Sequence, residues 1–243
     1  IAIELELQDT RVVIGGMAKG SGMIHPNMAT MIGIITTDAN ISRKLLDKAL
    51  KDVVRTTFNR VSVDGDTSVC DMVVIFANGM AENAGIINEG EDYEAFVKGL
   101  EYVCSHLAKL IARDGEGASK LIDVVIEGAG SPEDAYKAAC AVAKSPLVKT
   151  AVFGSDANWG RIFTAVGYSG AEFDPNNVDI YIGDVLVCKA GCAVDFDEAH
   201  AKQVLDKSEI KLLVRLNKGV YSDHMLTCDL TFDYVKINSS YRS

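Results

Sequence analysis

Thr30 closes the run Gly16-Met17-Ala18-Lys19-Gly20-Ser21-Gly22-Met23-Ile24-His25-Pro26-Asn27-Met28-Ala29-Thr30, and its hydroxyl is a candidate nucleophile. Three glycines, a lysine, a proline and a single threonine are poor material for burial and good material for backbone held in special conformations. The residues alone leave three readings open. The run can be a Gly-rich connection between two strands. It can be a phosphate cradle, but the order is wrong: a P-loop needs Lys directly after its last Gly, and Lys19 precedes Gly20-Ser21-Gly22. Or it can hold a nucleophile at a strained junction. Pro26 fixes one backbone angle, Asn27 tolerates unusual ones, and strain there favours attack of the Thr30 hydroxyl on the Ala29 carbonyl. A threonine hydroxyl is a weak nucleophile without a base in reach. An N-terminal threonine carries its own, an α-amine whose ordinary pKa of about 7.7–8.0 leaves it partly neutral near pH 7. No Ser-His-Asp arrangement is evident among His25, His106, His200 and His224, which read as structural.

Other polar clusters say less. Asp64-Gly65-Asp66-Thr67-Ser68 invites a metal, but the calcium-loop pattern is incomplete and no glutamate closes it, so a tight turn near the site is preferred. Cys188 and Cys192 lack a second ligand pair for zinc, and neither a metal nor a cofactor is expected. Lys19, and Glu116 in Asp114-Gly115-Glu116-Gly117-Ala118, would on their own be solvated turn residues. With 24 basic against 34 acidic residues the net charge is -10, which argues against nucleic acid or an anionic membrane as partner. Six cysteines in apolar segments, with no secretory signal visible, point to reduced core thiols and a cytoplasmic protein. No apolar run approaches the ~18 residues of a membrane span. The chain opens on Ile1 inside a strand pattern, so a preceding segment is expected.

Lys-Gly-Ser-Gly-Met-Ile-His-Pro-Asn-Met-Ala-Thr-Met, residues 19–31, strongly resembles the signature of the ornithine acetyltransferases, also called glutamate N-acetyltransferases, of arginine biosynthesis. Ser62–Ser68, Ser155–Arg161 and the terminal Tyr234–Ser243 resemble further motifs of that family. The resemblance implies self-cleavage between Ala29 and Thr30, with the freed Thr30 as catalytic nucleophile. It implies transfer of acetyl from N-acetylornithine to glutamate, releasing ornithine and N-acetylglutamate, and in some members acetyl-CoA as a further donor. It makes Lys19, Thr30, Glu116, Asn238 and Ser243 substrate-binding positions and places the oxyanion donors upstream of this chain. It implies a partner α chain, and αβ heterodimers that pair into a heterotetramer. After Ser68 the chain departs from the usual Thr-Asn-Asp-Thr and reads Val69-Cys70-Asp71-Met72. The rival readings are an N-terminal-nucleophile amidohydrolase or aminopeptidase, in which water takes glutamate's place, and an uncleaved amino-acid-binding protein.

The elements that must position these residues follow from periodicity. Residues 1–14 alternate as a strand with a turn near Asp9-Thr10, and Met31–Ile35 reads as a buried strand. Ser42 caps a helix with Leu45, Leu46, Ala49, Leu50, Val53 and Val54 on its apolar face. Val61–Val63 and Met72–Phe76 are strands. A long helix spans Asp92–Arg113, its stripe running from Tyr93 through Leu110 and Ile111. Leu121–Glu127 is a strand, and Ser131-Pro132 starts a helix to Lys144. Beyond it come a polar loop at Gly154–Arg161, a strand at Val178–Cys188 and a helix at Asp197–Leu205. Glu209–Leu216 and His224–Ile237 read as two long strands around Asn217-Lys218-Gly219. This mixture predicts an α+β fold, a layered α/β sandwich rather than a doubly wound sheet; the resemblance narrows it to the self-processing type with an N-terminal threonine nucleophile. The organisation expected is 1–29 as the end of an α chain, then 30–144 and 145–243 as two parts of a β chain, with a boundary at Lys144-Ser145-Pro146.

Overall fold

The computed structural model describes residues 1–25 and 31–240. It divides into two compact units, Ile1–Ile111 and Ala112–Ser243.

In the first unit, β1 (Ala2–Leu7) and β2 (Thr10–Lys19) form a hairpin. The second strand pairs antiparallel with β3 (Ile32–Thr37), which pairs in parallel with β5 (Met72–Ala77). Between them lie α1 (Arg43–Thr56) and the short β4 (Val61–Ser62), and α2 (Glu91–Arg113) follows. The hairpin's second strand continues past the expected Ile14 to Lys19, because ladder hydrogen bonds need only backbone and the glycines supply it: Gly15 pairs with Thr36, Gly16 with Ile35 and Lys19 with Ile32. Gly16 also has a packing role. A Cβ there would stand 2.7 Å from Ile35 Cδ1 and 3.0 Å from Val103 and Leu107, so the missing side chain is what lets α2 lie on this face. The third strand is buried on one side only, with Ile34 and Thr36 outward. On α1, Leu45, Ala49 and Val53 are buried and Leu46, Leu50 and Val54 only partly so. On α2 the apolar stripe holds except at Leu110, which is 47% exposed.

The second unit is built on β6 (Leu121–Ala129). Its sheet runs β11-β6-β10-β7-β8-β9, with β7 (Asp179–Ile182), β8 (Val185–Lys189), β9 (Cys192–Ala193), β10 (Glu209–Arg215) and β11 (Tyr221–Cys228). Helices α3 (Pro132–Lys144), α4 (Pro146–Phe153), α5 (Trp159–Gly167), α6 (Glu198–Leu205) and α7 (Phe232–Ser240) complete it. The core joins Ile122, Val124 and Ile126 to Ala135, Ala138, Ala139 and Val142 of α3. Small side chains on the helix let it sit close above the branched ones, each of which contributes about 1.5–3 kcal/mol by leaving water.

Four expectations change here. The two C-terminal strands do not pair with each other: β10 lies parallel to β6 on one side and β11 antiparallel to it on the other. Val178–Cys188 is a hairpin turning at Gly183-Asp184, not one strand. The polar Gly154–Arg161 stretch gives way at Trp159 to α5, capped by the Asn158 side chain. Phe232–Ser240 is helix, not strand, and none of its residues is buried. Ser145 caps α4 within the second unit.

The cysteines are all free, but Cys70 and Cys192 are exposed rather than core. Burial pushes the Cys104 thiol up to about 12 and leaves it inert. Among the described residues no group of three or more His, Cys, Asp or Glu could hold a metal, and no helix is long and apolar enough to cross a membrane.

Candidate functional site

Ala29, Thr30 and Ser243 lie outside the described residues; the other expected site residues fall into two groups, one in each unit.

In the first unit, Lys19 is the last residue of β2 and is exposed. The chain after it is pinned by Asp64, whose carboxylate accepts the Met23 N–H at 2.7 Å and the Ile24 N–H at 3.1 Å, as well as the Asp66 N–H of its own turn. The Asp64–Ser68 segment is therefore a backbone-holding turn. The Val63 N–H donates to Ile24 O at 2.7 Å, the Thr67 hydroxyl donates to His25 O, and His25 Nδ1 lies 3.2 Å from the buried Ser62 hydroxyl. Further along the same stretch, residues 71–72 grip Met31. Asp71 Oδ1 accepts the Met31 N–H at 2.8 Å, and the Met72 N–H donates to Met31 O at 3.0 Å. One stretch of chain, residues 62–72, thus holds the backbone at His25 and at Met31.

Asp71 is the functional candidate that sequence reasoning passed over. Its second oxygen, Oδ2, is buried and has no hydrogen-bond partner among the described residues. Burial raises its pKa above the ordinary carboxylate value, opposed by the Met31 N–H and by the charge of Lys19. The register explains that last influence, since Lys19, Ile32 and Met72 stand side by side across three strands. The only signal in the sequence was position, an acidic residue directly before a strand that pairs beside Lys19 and Ile32.

In the second unit, Glu116 sits in the turn between α2 and β6, and Asn238 in the last turns of α7. The Asn238 amide nitrogen donates to Glu116 Oε2 at 2.9 Å and to Tyr234 O at 3.1 Å. Both amide hydrogens are then used, and Glu116 Oε1 and Asn238 Oδ1, left over among the described residues, are acceptors. An acceptor-only pair suits a donor-only group such as an ammonium.

Asp229 and Thr231 hold the chain around that pair, and Lys120 ties it to the rest of the unit. Asp229, only 3% exposed, accepts the Ser119 N–H at 2.8 Å, the Lys120 N–H at 2.9 Å and the Ser119 hydroxyl. Thr231 donates its hydroxyl to Gly117 O at 2.6 Å and accepts the Tyr234 N–H at 3.3 Å. Lys120 Nζ reaches Val152 O at 2.7 Å and the Ser155 hydroxyl at 2.9 Å, and burial lowers its pKa. The Ser155–Arg161 motif is therefore a brace in this unit: Ser155 also bonds Asp206, and Arg161 donates to Leu147 O.

Comparison with known proteins finds relatives along the whole chain. The family model described as ArgJ family matches residues 1–243. The protein named "Arginine biosynthesis bifunctional protein ArgJ" in Symbiobacterium thermophilum is 53% identical over 242 residues, covering all of this chain and 60% of the relative. The protein of the same name in Bacillus subtilis is 48% identical over 240 residues, 99% of this chain and 59% of the relative. The chain thus spans about 60% of the length of the relatives it matches. The crystal structure of the Bacillus halodurans protein of that name superposes with a TM-score of 0.85 at 46% identity, over 87% of this chain and all of that one.

Proposed function

Because the chain belongs to the ArgJ family, we propose that it is the part of an acetyltransferase that carries the nucleophile, moving acetyl from N-acetylornithine to glutamate through an acetyl-Thr30 intermediate. The observation that carries this is the match itself, which runs through every motif from Lys19 to the C-terminus. Cleavage between Ala29 and Thr30 frees an α-amine on Thr30. That amine takes the hydroxyl proton as the oxygen attacks the acetyl carbonyl, and the tetrahedral intermediate then expels the α-amine of ornithine, which leaves with the proton. Glutamate's α-amine attacks the resulting ester, releases N-acetylglutamate and restores the hydroxyl.

Lys19 supplies a cation for a substrate carboxylate, and Glu116 with Asn238 supplies acceptors for an ammonium; Ser243 completes the substrate contacts. Acetyl-CoA is a second donor in this reading, no cofactor is needed, and the protein works in the cytoplasm with its α chain as αβ pairs.

Intact mass and N-terminal sequencing test the first step. The full-length protein is expected to yield a chain beginning Thr30-Met31, and a Thr30→Ala variant to stay whole. A wild-type protein that keeps its Ala29-Thr30 bond would remove the proposed base and with it the reaction.

A further inference from the structure

Glu116 and Asn238 are 122 residues apart and meet through one hydrogen bond, so something must set the distance between their backbones. The turn at Gly115–Ala118 and the first turn of α7 are separate pieces of chain. The Thr231 hydroxyl touches both. It donates to the carbonyl of Gly117, next to Glu116, at 2.6 Å, and accepts the N–H of Tyr234, whose own carbonyl accepts from Asn238. The bonds close a ring: Thr231 to Gly117, Glu116 to Asn238, Asn238 to Tyr234, and Tyr234 back to Thr231. Thr231 is 6% exposed, and Asp229, two residues earlier, clamps the far side of the same turn through Ser119 and Lys120.

We propose that Thr231 is a positioning residue, its hydroxyl fixing the turn of Glu116 against the helix of Asn238 so that their free oxygens face one ammonium group.

This rests on the reading that Glu116 binds substrate, and it adds which substrate feels the arrangement. N-acetylornithine is acylated on its α-nitrogen, so its one ammonium is the δ-amine at the far end. Glutamate's only amine must be free of its proton to attack the acetyl ester and cannot at that moment be held as an ammonium. The ring therefore serves the half-reaction with donor and not the one with acceptor. In a two-step mechanism through one acyl-enzyme the halves are read separately, because kcat/KM for each substrate reports its own half.

The experiment is steady-state kinetics on Thr231→Val and Thr231→Ser in the full-length, processed enzyme, beside Glu116→Gln. Thr231→Val is expected to lower kcat/KM for N-acetylornithine by about tenfold, the scale of one misplaced charge-assisted hydrogen bond, and to leave kcat/KM for glutamate within about twofold. Thr231→Ser, which keeps the hydroxyl, restores the donor value. In a Glu116→Gln background Thr231→Val adds little further loss, since its partner is already gone. Equal losses for donor and acceptor, full activity in Thr231→Val, or no rescue by serine would each overturn the proposal. If Glu116→Gln itself leaves both substrates untouched, the substrate reading fails instead, and the two failures are told apart. Should Thr231→Val not fold, Thr231→Ala removes the hydroxyl without adding atoms and carries the same expectation.

Discussion

Asp71 shows how much one carboxylate can be asked to do. Its Oδ1 serves the Met31 N–H, while Oδ2 is buried with no hydrogen-bond partner among the described residues. Because burial raises its folded-state pKa, the native chain binds the proton more tightly than the unfolded chain does. Stability from this group is therefore greatest below the ordinary carboxylate range and falls as pH rises through the raised folded value. In a Thr30→Ala background, which keeps the chain a single species, Asp71→Asn is expected to flatten that part of the stability–pH curve while preserving an acceptor for Met31. Asp71→Ala removes the acceptor as well and should be less stable than Asp71→Asn by about 1–3 kcal/mol at any pH, the penalty for a stranded buried N–H. Urea unfolding at pH 4 and pH 7 checks both; a pH dependence left unchanged by Asp71→Asn would mean that the carboxylate is well solvated.

At the scale of elements, the turn that presents Glu116 depends on Gly117. Its φ of +66° is left-handed, and a Cβ would stand 2.4 Å from the Tyr234 backbone nitrogen and 2.8 Å from the Asp233 carbonyl carbon. Neither neighbour can swing away, since both are main chain. Gly117→Ala should therefore cost about 2–4 kcal/mol, adding backbone strain to a clash, and should part Glu116 from Asn238. Gly167→Ala is the control: nothing lies within 4 Å of its added methyl, and in a helix it should be neutral or stabilise by up to about 1 kcal/mol. Thermal melts of the two variants should move in opposite directions or differ by the whole clash. This turn also marks where the sequence stopped being legible. The elements whose burial imposes a period were readable, as α2 and β6 show. Helix α7 was not, because none of its residues is buried and Tyr234-Val235-Lys236-Ile237 alternates like a strand while facing no core. The hairpin at Gly183-Asp184 was missed for the related reason that apolar residues continue on both sides of it. Of the candidate site, Lys19, Glu116 and Asn238 are visible only as members of motifs, Asp71 only by its position before a strand, and Asp229 and Thr231 not at all. Their roles are contacts across tens of residues, which no local pattern encodes.

The charge of the whole chain bears on the two proposed substrates unequally. These 243 residues carry a net charge of -10, and their contribution to the field around the molecule is a negative potential that salt screens over about 30 Å at 10 mM and about 8 Å at 150 mM ionic strength. Glutamate carries one net negative charge near pH 7 and must enter against that potential. N-acetylornithine, with one carboxylate and one ammonium, carries none. Raising salt from 10 to 150 mM should therefore lower KM for glutamate by about two- to threefold and leave that for N-acetylornithine nearly constant, the difference between screened repulsion and no net force. A KM for glutamate that rises instead would mean that Lys19 and its neighbours outweigh the global field at the entrance, because salt would then be weakening an attraction. Since the donor is a built-in reference measured in the same enzyme, general effects of salt on folding or on the chemical step move both substrates together and cannot imitate the predicted divergence.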